Sequence, residues 1–374
     1  MDNDGRILDE FLELVQVDSV SGKERRIADL LLKKLTDLGL SVWEDDAGQK
    51  SGSNAGNVIG NLPGTGQGPS LLLCAHMDTV QPGCGVKPVV ADGVVRSSGD
   101  TILGADDKAG IVAILESLRL VRENNTEHGG LAVAFTIWEE SGLFGAKNLD
   151  CQAIGAKVGF VLDSDGDPGT IVTQAPSHDH IGVTVRGRAA HAGIKPEDGI
   201  NAIQVAAYAI AQMQLGRIDE ETTSNIGIIS GGNAVNIVPD SVTLEGEARS
   251  LNTEKRLRQT SQMCLAIEEA AKKYGAEADI VTELLYPDYH LAADSLPVRI
   301  AVEAARNLGL ESRLVKTGGG SDANIFNSKG IAAAVLGIGM KKVHTTEEYI
   351  TTDNLVENAR YLFEIIKVAQ KITA

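Results

Sequence analysis

Two imidazoles and a set of carboxylates stand in this sequence where apolar runs stop. LLLCAHMD ends in His76 and Asp78, LAVAFTIWEE in Glu139 and Glu140, GFVLDSD in Asp163, and AAAVLGIGMKKVH runs out at His344. Asp106 and Asp107, in GADDKAG, lie in a turn directly before an apolar helical stretch. Taken singly, each is an ordinary strand end or cap. Gathered on one rim, they bring two imidazoles and several carboxylates into one small volume. That much negative charge in a cleft demands large upward pKa shifts or bound cations. Histidine with carboxylate and without thiolate suits zinc, manganese or cobalt better than calcium or magnesium, which prefer oxygen alone. The chemistry in view is that of a metal centre.

These residues converge only if the preceding elements form an open sheet, because ligands bind beyond the carboxyl ends of such strands. From residue 1 to 177 helical patterns alternate with short continuous apolar runs such as SLLLCAH and KVGFVLD. Runs of this kind are strands buried on both faces beneath helices, the pattern of an α/β domain with a mixed, largely parallel sheet. Over 178–285 the pattern changes to strand 180–187, helix 197–213, strands 224–230 and 241–249, helix 254–274 and strand 278–285. That order is the split β-α-β, ferredoxin-like unit. A helix at 296–308, the turn TGGGSDANIF, the apolar run GIAAAVLGIG and a helix over 353–372 then resume the first style. The expected organisation is one α/β domain, 1–177 and 286–374, with 178–285 inserted into it.

The 374 residues with 43% hydrophobic content are ample for buried cores. The 34 basic and 51 acidic residues give a net charge of -17, which repels phosphate backbones and anionic membrane surfaces, so no nucleic-acid or membrane partner is expected. Cys74, Cys84, Cys151 and Cys264 are scattered and form no C-x-x-C pair. The amino-terminal stretch reads as an amphipathic helix rather than a signal segment, and no apolar stretch approaches the roughly 18 residues of a membrane span. A cytoplasmic location is expected.

HMDT at 76–79, GADDKAG at 104–110, EESGLFGAK at 139–147, LDSDG at 162–166, AAHAG at 189–193 and HTTEEYI at 344–350 together resemble the peptidase T branch of the co-catalytic di-zinc exopeptidases. That family also includes carboxypeptidase G and aminoacylase. The resemblance runs in order along nearly the whole chain, and it implies a catalytic domain carrying an inserted lid and dimerisation domain. It implies two zinc ions, with cobalt or manganese as substitutes, held by His76 and Asp163 on one side and Glu140 and His344 on the other, with Asp106 bridging. Asp78 would orient the His76 imidazole, and Glu139 would be the general base acting on a water shared by the metals. In the lid, His191 would polarise the scissile carbonyl, Arg249 of GEARSLN would take a terminal carboxylate, and Asn236 would add a contact. Gly319, in TGGGSDA, would line the cleft with exposed amides; the stretch lacks the P-loop pattern and its lysine. A cis peptide between Asp106 and Asp107 and a homodimer through the lid are also implied.

The expected activity is amide hydrolysis at the amino end of short peptides such as tripeptides. The alternatives are an amidase, deacylase or carboxypeptidase of the same family acting on N-acyl amino acids or dipeptides. A binding protein that has lost the chemistry would lack the base or the bridging acid, and this chain has both.

Overall fold

LLLCAH and LAVAFT carry no charged or strongly hydrophilic group until their last positions, and they form adjacent parallel strands, Leu71–His76 and Leu131–Thr136, buried along their whole length. The computed structural model describes residues 3–372. The chain divides into two units. The first comprises the described residues up to Gln174, His290–Lys316 and those from Ser321 onward; the second comprises Ala175–Tyr289 and Thr317–Gly320.

In the first unit the sheet runs in the order Ser41–Glu44, Val58–Leu62, Leu131–Thr136, Leu71–His76, Val158–Ser164, Ala332–Gly337 and Thr170–Ala175. Its central pairings are parallel, those from Ser41–Glu44 to Leu131–Thr136 and between Ala332–Gly337 and Thr170–Ala175 are antiparallel, and Arg313–Lys316 adds to Thr170–Ala175 in parallel. Parallel strands must be covered on both faces, and helices Ala105–Glu123 and Leu296–Leu308, which pack on the central strands, supply part of that cover, with Thr352–Ala369 packed on both helices. A separate three-stranded sheet joins Tyr349–Thr351 to Val94–Ser97 and Pro88–Ala91. It anchors the segment that follows His344.

The second unit is an antiparallel sheet in the order Gly216–Arg217, Thr222–Gly231, Ser241–Ser250, Ser177–Arg186 and Glu277–Tyr286. Alternation along Ser241–Ser250 buries one face, where Ile181, Val183, Val185 and Leu244 meet helices Ala202–Gln212 and Thr253–Tyr274. The connectivity is that of the ferredoxin-like fold. Among the described residues no helix is long and apolar enough to cross a membrane.

Three local expectations fail for identifiable reasons. The helix expected from residue 197 begins at Ala202, because Asn201 caps it by accepting from the Gln204 amide at 3.1 Å. The strand expected to reach Glu140 stops at Thr136, because Trp138 takes φ 50° and turns the chain. His344 does not end a strand; Ala332–Gly337 stops well before it, and His344 itself sits in a loop with φ 63°.

Candidate metal centre

His76 is delivered by the last position of its buried strand, and its ring is 2% exposed. The imidazole is held from both ends: Nδ1 lies 2.9 Å from the Asp78 carbonyl oxygen, and Nε2 lies 3.0 Å from Asp106 Oδ1. The main-chain amide of His76 donates to Asp107 at 3.1 Å. Asp106 and Asp107 open the helix Ala105–Glu123 but leave helical geometry, at φ -80°, ψ 102° and φ -121°, ψ 32°. The peptide between them is cis, as the family resemblance implies. Gly104 precedes them with φ 77°, a conformation that suits glycine.

The other Asp106 oxygen, Oδ2, lies 3.2 Å from His344 Nε2, which is also 3.0 Å from Glu140 Oε1. One carboxylate therefore meets two imidazoles, one through each oxygen. Donor atoms of His76, Asp106 and Glu140 all fall within 4.8 Å of one another. Donors sharing one zinc at about 2.0–2.2 Å and near-tetrahedral angles lie roughly 3.0–3.6 Å apart, and the 3.0 and 3.2 Å separations of Asp106 from His76 and His344 and the 3.0 Å separation of His344 from Glu140 fall in that range. Asp163, half-buried in Val158–Ser164, stands outside that three-residue group, although its charge and that of Asp106 act on one another.

Asp78 is fully buried, and its carboxylate has partners other than the imidazole it was expected to orient. It accepts from the amides of Glu139 at 2.9 Å and Glu140 at 3.3 Å and from Ser21 Oγ at 2.6 Å, whereas His76 Nδ1 is 3.5 Å from its nearer oxygen. The turn that presents Glu139 and Glu140 is held one residue earlier by Glu24. That buried carboxylate accepts from the Trp138 amide at 3.2 Å, the Gly22 amide at 2.8 Å and Ser53 Oγ at 2.6 Å. Phe144 packs on the Trp138 ring at 5.3 Å between centroids.

The electrostatics record a crowd of acids. Burial pushes Glu139 and Asp163 well above the usual carboxylate range; the Asp163 charge adds to the first and the Asp106 charge to the second. Burial also pushes Asp107 well up and Glu140 up. Asp106 moves the other way: burial opposes its charge, but the bonds from His344 and His76 hold it below the usual range. His344 is pushed up to about 10 by its bonds to Asp106 and Glu140. Burial opposes the charged form of His76, but its bond to Asp106 and its approach to Asp78 push it well above the ordinary imidazole range. Divalent cations between these donors would relieve the same repulsion.

The residues expected in the inserted domain lie in the second unit. His191 is exposed, its Nδ1 accepting from the Gly193 amide at 3.2 Å. Exposed Asn236 is beside it through a 2.9 Å bond from the Ala192 amide to its carbonyl. Arg249 is paired with Glu247 at 2.9 Å and bonds to the Tyr286 hydroxyl at 3.3 Å; its Nε has no partner. The Gly319 amide is used by Thr317 Oγ1 at 3.2 Å.

Two residues at the centre had no expected role. Glu348, 1% exposed, accepts from the amides of Leu103, Gly104 and Asp106. Its only signal in sequence was its place in HTTEEYI, beside the exposed Glu347. Asp322, buried and pushed up to about 6 by its burial, accepts from Thr136 Oγ1 at 2.6 Å.

The chain matches the model of peptidase family M20/M25/M40 over residues 72–368. It is 46% identical over 371 residues to the YqjE protein of Bacillus subtilis (strain 168), covering 99% of this chain and 100% of that one. Among solved structures it is similar to aminopeptidase PepT from Bacillus cereus ATCC 10987, at 45% identity and TM-score 0.90, covering 98% and 99% of the two chains. It is also similar to a tripeptidase from Staphylococcus aureus subsp. aureus Mu50, at 43% identity and TM-score 0.95, covering 99% of each.

Proposed function

The chain belongs to peptidase family M20/M25/M40, and from that membership we propose that it is a zinc-dependent aminopeptidase acting on tripeptides or similar short peptides. The observation that carries the metal part of this reading is the Asp106 carboxylate, whose two oxygens meet different imidazoles while Glu140 meets the second. In this reading His76 and Asp163 would hold one ion, Glu140 and His344 the other, with Asp106 between them. Bound there, a pair of divalent cations supplies Lewis acidity toward the scissile carbonyl and lowers the pKa of water.

The chain's own groups do the rest. Glu139, buried and within a turn clamped by Asp78 and Glu24, takes a proton from the attacking water on its carboxylate and returns it to the departing amine. The Asp78 carboxylate orients that base through the Glu139 amide. The Asp78 carbonyl fixes the His76 ring by accepting from Nδ1, which leaves Nε2 toward Asp106. His191, Asn236, Arg249 and the 317–320 turn are proposed to contact the peptide, with Arg249 bonding a carboxylate through its fork. The PepT and tripeptidase similarities support the amino-terminal preference and the peptide length.

The same reading makes the second unit a lid and the contact for a homodimer, tested by light scattering against the 39.4 kDa monomer. It places the protein in the cytoplasm, consistent with four unpaired cysteines. The deciding experiment strips the protein with chelator, reconstitutes it with zinc, cobalt or manganese, and assays a tripeptide panel beside N-acetyl amino acids. Metal-dependent release of the amino-terminal residue is expected. Hydrolysis that survives chelation, or activity confined to N-acyl amino acids, refutes it.

A further inference from the structure

We propose that Glu348 is the positioning residue for Asp106, and that it thereby sets the affinity of the centre for its cations; this rests on Asp106 being a metal ligand. The turn that carries Asp106 has no helical ladder of its own to hold it, because Asp106 and Asp107 both depart from helical φ and ψ. Glu348 supplies the missing hold. Its Oε2 accepts from the amides of Leu103 and Gly104, each at 2.8 Å, and its Oε1 from the Asp106 amide at 3.0 Å. A carboxylate is the side chain suited to this, since both of its oxygens accept and neither carries a proton that would face an N–H. A glutamine of the same shape must turn its NH2 toward at least one of those amides.

The place of Glu348 in the chain gives the clamp its reach. It lies in the loop that carries His344, within a turn closed by its own amide donating to Thr345 O at 3.1 Å. The next residues, Tyr349–Thr351, pair with Val94–Ser97, with Tyr349 opposite Arg96. One anchored segment therefore presents an imidazole to one Asp106 oxygen and grips the backbone beneath the same carboxylate. Glu347, one position earlier, is exposed and pairs with Lys342. It provides the internal control.

The test uses full-length Glu348→Gln, Glu348→Asp and Glu347→Gln proteins. Binding of cobalt and of zinc to chelator-treated protein is measured by calorimetry, and amide hydrogen exchange over 102–108 is followed without metal. Glu348→Gln is expected to bind metal about 10- to 100-fold more weakly, the usual cost of losing a group that orients a ligand. Its exchange should quicken over 103–106 with the circular dichroism spectrum retained, and excess metal should restore hydrolysis. Glu347→Gln should match wild type in all four. Wild-type metal affinity in Glu348→Gln overturns the inference whether or not exchange changes, because the clamp would then be structural only. If Glu348→Gln does not fold, Glu348→Asp, which keeps the charge but is one methylene shorter, must show the same weakening; wild-type affinity there overturns it equally. Wild-type protein that binds no divalent metal at all refutes the metal reading itself, and is recognised in its own titration.

Discussion

Replacing Asp78 by alanine separates two accounts of what its carboxylate does. If it orients the His76 ring, the substitution acts on metal binding through that imidazole. The hydrogen bonds point elsewhere: His76 Nδ1 is 2.9 Å from the Asp78 main-chain oxygen, which any substitution keeps, while the carboxylate receives the amides of Glu139 and Glu140 and the hydroxyl of Ser21. Asp78→Ala leaves the buried Glu139 amide without a partner, at about 1–3 kcal/mol, and the longer, half-buried Glu140 bond adds less. The expected loss of stability is about 2–4 kcal/mol. Loosening of the turn by about 1 Å at a catalytic carboxylate costs about 10²-fold in turnover. Urea unfolding measures the first quantity, steady-state hydrolysis the second, and hydrogen exchange over 137–142 locates the change. Asp78→Ala with wild-type exchange in that segment, and with its only loss in metal affinity, would refute this account in favour of the imidazole.

Glu139→Gln should lower turnover by about 10²- to 10⁴-fold while both metals stay bound, whereas Glu140→Ala should lose or weaken one metal and regain activity with excess zinc or cobalt. Metal stoichiometry and turnover across a metal titration read both, and near-normal turnover in Glu139→Gln would remove it as the base. The second unit should lose stability in acid through Glu247, whose carboxyl is held at about 2, below its ordinary 4.5, by the His178 bond and by Arg249, against the opposing effect of burial. A depressed pKa stabilises above the ordinary value and fades as pH falls from about 4.5 toward 2. The side chain is 34% exposed, so screening reduces the contribution to about 1–2 kcal/mol. The stability difference between wild type and Glu247→Gln should therefore be largest near neutral pH and shrink toward pH 3; a difference constant across that range would exclude the pair as its source.

What was legible in the sequence is what local pattern dictates. The buried runs 71–76 and 131–136 announce their strands because strands covered on both faces tolerate almost nothing polar. The helix at 296–308 matches its expected bounds, since Ser295, Pro297 and Gly309 punctuate it. The types of the candidate ligands were legible for the same reason: His76 and Asp163 lie at strand ends, where such sheets bind ligands. Which donors meet was not legible, because those contacts join distant parts of the chain. His344 reaches Glu140 across 204 positions, and Glu348 reaches the Leu103 amide across 245. Nor does any periodicity state that a carboxylate near an imidazole will take its shorter bonds from two amides and a hydroxyl. Asp78 was expected to orient the His76 ring and its carboxylate lies 3.5 Å from Nδ1; what the sequence did not show is that Trp138, at φ 50°, turns the Glu139–Glu140 amides onto the same carboxylate. Sequence by itself determined the elements and the donor types; the tertiary structure decided the pairings, since a hydrogen bond depends on where two backbones arrive and not on what either one spells.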